Sequence, residues 1–388
     1  MRLLSITSSL RKPLLLALTV MFAGLSTSYA LDKSDSTLNH IYQAGENGYA
    51  CFRIPALLST DDNVLLAFAE ARRKNCGDSG DIDLVLKRSK DGGATWGAMQ
   101  VVWSDSANTC GNPVPILDRS TGRILLISTW NLGTDHEKEI ISQTSKDGRH
   151  VYVLFSDDQG ENWSQPREIT SSVKGTNWTW YATGPGHGLQ IENGDHKGRL
   201  VVPVNHIEAP LNKNFSHTIY SDDHGETWSL GNNTPQDGMN ETTVAEISGN
   251  RLMLNMRNAN RTNRTRNTSI SSNGGATWAD VRGDSTLIEP ICQGSLLNFK
   301  MGRKPALLFI NPASREKRIN LTLRMSYDDG QTWAVSKQIY PGPSAYSDIT
   351  IYKRKSIGIL YESGVKMPYE GIAFKLVPVK SFAKTEGK

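Results

Sequence analysis

No stretch of this 388-residue chain sustains a 3.6-residue apolar period, so helix is expected to be minor. Cysteine is scarce: Cys51, Cys76, Cys110 and Cys292 are too few and too scattered for a disulfide framework or a zinc ribbon. One disulfide or two can form in an oxidising compartment, but their connectivity cannot be read. Charge of one sign is also missing. The 43 basic and 39 acidic residues leave a formal net charge of +4 with no single-sign block, which excludes a general nucleic-acid or polyelectrolyte role. "HEKEI" at 136 lacks the second histidine of a zinc protease helix, and "GPGHGLQ" at 184 lacks the Lys-Ser/Thr ending of a phosphate loop. A dense Asp-x-Asp-x-Asp-Gly calcium pattern is absent as well. No metal or cofactor is expected.

Long apolar runs are confined to "PLLLALTVMFAGL" near the start, too short for a comfortable membrane span. Arg2, Arg11 and Lys12 precede it and "STSYA" closes it before Leu31. This is the layout of a secretory signal peptide over 1–30, which leaves 31–388 as the exported protein. No stable membrane insertion is expected after its removal. The destination is the periplasm, the exterior, or a lysosomal-type lumen in a eukaryotic host. Asn177, Asn214 and Asn320 begin Asn-x-Ser/Thr triplets that matter only where the host glycosylates.

Glycine and tryptophan are plentiful, at 34 and nine residues, and part of both is spent on a repeat. "SKDGGATW", "SDDQGENW", "SDDHGETW", "SSNGGATW" and "SYDDGQTW" begin at residues 89, 156, 221, 271 and 326. A recurrence every 50 to 67 residues signals a repeat architecture. Strand-like segments such as "HVYVLFS", "TRNTSIS" and "INLTLRMS" lead into the boxes, and "NVLLAFAE", "RILLISTW" and "RLMLNMRN" fill the intervals. Four short strands per unit make a propeller blade. Five boxes plus unboxed strands at both ends predict an all-β, six-bladed β-propeller. An N-terminal strand and "IAFKLVPV" would close the ring within one blade. Within each box, Ser and Asp can cap backbone N–H groups, Gly tolerates a conformation that a Cβ disfavours, and Trp packs between sheets. Five identical groups spread around a ring cannot converge on one substrate, so the boxes are scaffold.

The unrepeated motifs carry the chemistry. Phe-Arg-Ile-Pro at 52–55 followed by five Asp boxes resembles the exo-α-sialidases (neuraminidases) of glycoside hydrolase family 33, and the lysosomal-type animal sialidases are similar. The resemblance runs through the whole exported chain in motif order. It implies hydrolysis of terminal α-linked sialic acids on glycoproteins, gangliosides and sialyl-oligosaccharides. It further implies three arginines on the substrate carboxylate: Arg53 of "FRIP", Arg257 of "LNMR" and Arg318 of "SREKRINLTLR". Guanidinium groups suit that task because they stay charged and bind a carboxylate with two bonds. Arg315 and Arg324 compete for the third position, Arg315 being the realistic alternative.

Sialidases are the glycosidases that use a Tyr nucleophile, which avoids setting an anion against the carboxylate at the reacting carbon. The resemblance assigns that role to Tyr346 of "SAYSD", the base in contact with it to Glu241, and the acid/base to Asp78. Glu246 is the rival base, with a possible supporting role beside an arginine, and Asp81 is the rival acid. Partial burial and nearby carboxylates are expected to raise the pKa of Asp78. Glu362 of "LYES" is implied as the partner that orients Arg53. Arg72 and Asn112 are implied as further substrate contacts; the nearby Tyr340, Tyr352 and Tyr361 read as core or rim tyrosines. The basic segment at 257–267 is a solvated loop that can steer anionic glycans. Two rivals remain. A trans-sialidase would share the site, but its usual appended lectin domain has no room in this chain. A non-catalytic Asp-box propeller would be expected to lack part of the Arg, Tyr, Glu and Asp set.

Overall fold

The computed structural model describes residues 38–301 and 304–383. The signal peptide expected over 1–30 lies outside the described residues. Among the described residues no helix is long and apolar enough to cross a membrane. Among these residues helix is limited to short pieces such as Glu137–Ile141 and Val379–Ala383.

Antiparallel pairings arrange the strands into six four-stranded blades. The first comprises Cys51–Ser59, Leu65–Arg72, Ile82–Ser89 and Gln100–Trp103. The second runs from Thr109–Leu117 to Arg167–Glu168, the third from Trp178–Thr183 to Ser229–Leu230, and the fourth from Met239–Ile247 to Arg282–Ile288. Ser295–Met301, Lys304–Pro312 and Ile319–Ser326 form the fifth with the first half of the long strand Val335–Tyr352. The second half of that strand opens the sixth blade, followed by Ser356–Ser363 and Gly371–Pro378. His40–Gln43 then pairs with Gly371–Pro378, so the two ends of the chain close the ring as expected.

The packing agrees with the topology. Six hydrophobic clusters each span one blade-to-blade interface, including the one between the sixth and first blades. Strand Leu65–Arg72 shows why these strands read as unbroken apolar runs. Leu65, Ala67, Ala69 and Ala71 face the sixth blade, whereas Leu66 and Phe68 face the second. Successive side chains point to opposite faces, and both faces are buried.

Every Asp box links the third strand of its blade to the fourth. In the fifth-blade copy, Ser326 Oγ donates to Asp328 Oδ1 at 2.8 Å and Gly330 N donates to Ser326 Oγ at 2.9 Å. Thr332 adds bonds to Asp328 from its backbone N and its Oγ1, at 2.8 and 2.6 Å. The box glycine needs its freedom twice over. Gly93 has φ +88°, and a Cβ there would lie 2.0 Å from Phe374 of the sixth blade. Trp96 of the same box meets Phe374 edge-on at 5.1 Å. The box therefore fastens each blade to its neighbour. The sixth blade has none because its third and fourth strands come from opposite ends of the chain.

A buried carboxylate gathers the ring at its axis. Asp348 of the sixth blade accepts from Leu57 N of the first (2.8 Å) and Ser295 Oγ of the fifth (2.7 Å), and pairs with His187 Nδ1 at 2.7 Å. Burial opposes charge on His187, but Asp348 outweighs it and raises the imidazole pKa.

Candidate active site

Five of the six innermost strands carry a register shift, between Arg53 and Ala56, Gly111 and Val114, Trp178 and Tyr181, Met239 and Thr242, and Ser344 and Ser347. A bulge turns side chains out of the regular alternation and commonly lies beside a functional site. These five aim Arg53, Asn112, Trp180, Glu241 and Tyr346 into one cleft of about 460 Å³. Ile54 (φ 55°) and Asn112 (φ 52°) hold left-handed backbone within their bulges. For β-branched Ile54 that geometry costs about 1–3 kcal/mol and persists only because its surroundings enforce it.

All nine residues singled out from the sequence come together here. Eight line the cleft or the ion-pair network at its edge, and Glu362 lies buried just beneath. Tyr346 Oη donates to Glu241 Oε1 in a very short contact. Arg257 Nη1 bridges the pair, reaching Glu241 Oε2 at 2.6 Å and Tyr346 Oη at 3.0 Å. Burial, then the Glu241 charge, push the phenol of Tyr346 well above its ordinary pKa, despite three nearby guanidinium groups. It is a neutral donor, held against its acceptor.

Arg53 lies between Tyr346 and Tyr369, its guanidinium 4.9 and 4.5 Å from their ring centroids. Glu362, fully buried, accepts from Arg53 Nε (3.1 Å) and Nη2 (3.3 Å), from Ile54 N (2.9 Å) and from Tyr346 N (3.1 Å). One carboxylate thus fixes the bulge, the arginine and the tyrosine backbone. Burial opposes the charge on Arg53, but Glu362 and the other nearby acidic groups hold it firmly protonated. Arg318 enters from the fifth blade just before its third strand, with Nη1 on Tyr369 Oη at 2.8 Å and Nη2 on Ile291 O at 3.2 Å.

The rivals fall elsewhere. Arg315 is exposed and its one hydrogen bond goes to Arg264 O at 3.4 Å. Arg324 is buried within its strand against Asn311. Glu246 accepts from Glu192 N and Asn193 Nδ2 and, among the described residues, pairs with no arginine, contrary to the sequence expectation. It lies five residues along the strand from Glu241, roughly 17 Å at a strand's rise, so the two occupy opposite ends of the blade. Asp81 faces Arg73.

Asp78 also corrects an expectation. Desolvation by the surrounding cleft walls acts to raise its pKa although the side chain reaches solvent, but Arg72, Arg53 and Arg149 together outweigh it and lower the carboxyl below its ordinary value. Arg72 Nη1 contacts Asp78 Oδ1 at 2.7 Å and Arg53 Nη1 approaches the same oxygen at 3.4 Å. The carboxylates that were expected to raise it are engaged elsewhere, Asp83 with Tyr49 and Arg73.

The sequence reading passed over several cleft residues. Glu70 lies two residues before Arg72, on the same strand face, and binds Arg72 Nε at 3.0 Å and Asn112 N at 2.7 Å. That spacing was a usable signal. Arg149 holds Asn112 Oδ1 at 2.8 Å and stacks over Trp180 at 4.0 Å, and burial lowers its pKa to about 10. Glu137 belongs to "HEKEI", a segment without the second histidine of a zinc motif; burial and then Asp78 raise its pKa. Tyr369 lies in a loop with no motif. Of the four cysteines, Cys51 and Cys76 are joined, while Cys110 and Cys292 are free and buried. Among the described residues no group of three or more His, Cys, Asp or Glu could hold a metal ion.

Three guanidinium groups, a tyrosine hydrogen-bonded to a glutamate, and an aspartate across the cleft can hold a carboxylate while an adjacent carbon exchanges one oxygen substituent for another. Known proteins point the same way. Residues 63–359 match the BNR repeat-like domain family. A sialidase of Micromonospora viridifaciens is 33% identical over 338 residues, covering 84% of this chain and 52% of that protein. One from Bacteroides fragilis is 31% identical over 358 residues, covering 86% and 64%. The chain thus spans about half to two thirds of the length of these relatives. The solved structure of the Hadza microbial sialidase Hz136 superposes with a TM-score of 0.80 at 30% identity, covering 88% of this chain and 68% of that one. The six-bladed ring, its boxes and these relatives place the chain in the sialidase family.

Proposed function

We propose that this protein is an exo-α-sialidase that hydrolyses terminal α-linked sialic acids from glycoproteins, glycolipids and oligosaccharides. The observation that carries the reading is the Glu241–Tyr346–Arg257 hydrogen-bonded group, set beside Arg53 and Arg318 at the end of the ring where Asp78 stands. Arg53, Arg257 and Arg318 bind the substrate carboxylate. Arg72 and Asn112 contact the ring substituents, and Glu362 holds Arg53 in place. Tyr346 attacks the anomeric carbon while its phenolic proton passes to Glu241. The bond to the leaving oxygen breaks as that oxygen takes a proton from Asp78. Asp78 then accepts a proton from water, which displaces Tyr346 and recovers its proton from Glu241, so the configuration is retained.

The low pKa of Asp78 in the free protein fits this sequence. Arg53 lies within 3.4 Å of its carboxylate. A substrate carboxylate seated on Arg53 offsets that positive charge and favours the protonated acid when it is needed. The neutral state of Tyr346 fits as well, because a phenolate would repel the incoming carboxylate.

The protein is further proposed to be exported after loss of residues 1–30, with 31–388 as the catalytic domain. The test is release of free sialic acid from α2-3- and α2-6-sialyllactose by the purified protein and by Tyr346→Phe. The variant should fold normally and lose turnover by several orders of magnitude, as removal of a nucleophile does elsewhere. Turnover by the variant near the wild-type rate would sink the assignment. Sialyl transfer to added lactose, in place of free sugar, would point to the trans-sialidase alternative.

A further inference from the structure

We infer that the Cys51–Cys76 disulfide is a positioning element for catalysis, one that holds Asp78 in register with Arg53; this rests on the sialidase reading above. Asp78 sits in the loop "RKNCGDSGD", residues 73–81, between the second and third strands of the first blade. The loop has no aliphatic or aromatic side chain and includes two glycines, so burial of apolar surface cannot hold it. The Asp78 side chain itself is 62% exposed.

The anchors are few and unevenly placed. At the base, Arg73 N donates to Asp81 O at 3.1 Å. Just after Asp78, Ser79 Oγ pairs with His136 Nδ1 at 2.5 Å, and Gly80 exchanges hydrogen bonds with Thr109 Oγ1 at 3.1 and 2.9 Å. The stretch just before Asp78 is turned by Gly77 N on Asn75 Oδ1 at 2.7 Å and is tied to the rest of the blade by two devices that meet at Cys76. Arg72 Nη1 donates to Cys76 O at 2.6 Å and to Gly77 O at 2.9 Å, and the Cys76 sulfur is bonded to Cys51. Cys51 is fully buried as the first residue of the strand that carries Arg53.

The spacing makes the link specific to this pair. Asp78 lies two residues after Cys76, and Arg53 lies two residues after Cys51. The disulfide and the Arg53–Asp78 contact therefore close a small ring across the cleft wall. The two sides of that ring are unequally supported. Arg53 has an independent clamp in Glu362; Asp78 keeps the Arg72 contact at 2.7 Å on its side chain, but its backbone loses the cross-link to the strand of Arg53 when the disulfide opens. Carboxylate binding should survive reduction, and proton donation should suffer. A tether that served stability alone would affect every substrate alike.

Leaving-group dependence separates the two roles. An aryl sialoside with an acidic phenol departs with little help from an acid, whereas lactose needs its oxygen protonated. The measurement is kcat/KM of wild type and Cys51→Ser/Cys76→Ser on such an aryl sialoside and on sialyllactose, with the inhibition constant of free sialic acid alongside. The expected result is a loss of roughly tenfold or more on sialyllactose, against about twofold on the aryl sialoside and on the inhibition constant. The same split should appear when the wild-type protein is reduced with dithiothreitol, which yields two protein thiols and cyclic oxidised dithiothreitol, and should reverse on reoxidation. This second arm does not require the variant to fold. A parallel loss on both substrates, or no loss on either, would overturn the inference alone. A wild-type protein that cleaves neither substrate would overturn the sialidase reading and the inference with it.

Discussion

Replacing Glu362 by Gln tests the organisation of the site at its most heavily used residue. The carboxylate accepts four hydrogen bonds, from Arg53 Nε, Arg53 Nη2, Ile54 N and Tyr346 N, which fills the capacity of two oxygens. Gln keeps one acceptor oxygen and turns the other position into a donor that faces donors. About two of the four partners lose their acceptor, at roughly 1–3 kcal/mol each. Arg53, only 6% exposed, also loses its countercharge. Breaking a buried ion pair from one side costs about 3–5 kcal/mol, a figure that already includes those orphaned bonds. For a chain of this size the loss corresponds to a fall in Tm of roughly 4–7 °C.

The kinetic consequence should exceed what lost stability explains. With one acceptor oxygen left for four donors, Ile54 N competes with Arg53 and Tyr346 N for it, the strained bulge relaxes, and Arg53 shifts from the position that meets a carboxylate. A displacement of about 1 Å is enough for roughly a hundredfold loss in rate. The assay is differential scanning calorimetry together with kcat and KM on sialyllactose at a temperature where the variant is fully folded. A Tm within about 2 °C of wild type, or kcat/KM within about threefold, would refute the argument.

Arg318→Ala should cost about 10- to 150-fold in kcat/KM, the worth of a charge-assisted hydrogen bond, whereas Arg315→Ala should stay within about twofold; the reverse order would exchange their roles. Asp328→Ala removes three bonds within an exposed Asp box and should cost about 1–2 kcal/mol in urea denaturation while leaving kcat/KM unchanged, and a kinetic defect would contradict a scaffold role. Acid should destabilise the third blade. Burial, then the charge of Lys174, lower His206 to about 3, and burial lowers its neighbour His217 well below the ordinary value. Glu208 lies 3.2 Å from His206 Nε2 and opposes this, but complete burial prevails. Because both folded-state values lie below the unfolded one, stability is full above about pH 6.5 and falls with pH toward 3 as the unfolded chain alone takes up protons. Each imidazole should contribute about 2 kcal/mol of loss between pH 6.5 and 5, and a His206→Gln variant with an unaltered pH slope would refute this.

The number of blades was legible because the Asp box marks one kind of connection, the link from a third to a fourth strand. Five copies imply six blades once the closing blade is understood to join its last two strands without a covalent turn. Strand bounds were legible where apolar alternation stopped against a box: "HVYVLFS", "TRNTSIS" and "INLTLRMS" coincide with strands His150–Ser156, Thr265–Ser271 and Ile319–Ser326. The disulfide was not legible, because no spacing rule brings Cys76 to Cys51. The electrostatics of Asp78 were misread because charge in the sequence neighbourhood is a poor guide to charge in space. Asp81 and Asp83 are near in number but turn to Arg73 and Tyr49, while Arg72, helped by Arg53 and Arg149 from distant parts of the chain, decides the balance.

The site itself follows from where the repeat is broken. In a propeller the inner strands converge on the axis, so equivalent positions on different blades become neighbours. A regular strand would present those positions edge-on to the channel. A bulge at the same end of five inner strands rotates the side chain there into the cleft, which is how Arg53, Asn112, Trp180, Glu241 and Tyr346 meet although up to 293 residues separate them. The Asp boxes belong to the opposite part of each blade, at the outer turn, where identity between copies is useful because each makes the same contact with its neighbour. At the bulges identity would be useless, since a bound sugar presents a different group to each blade. Trp180 holds in the third blade the inner-strand position that Arg53 and Asn112 hold in the first and second, so the repeat itself points to it.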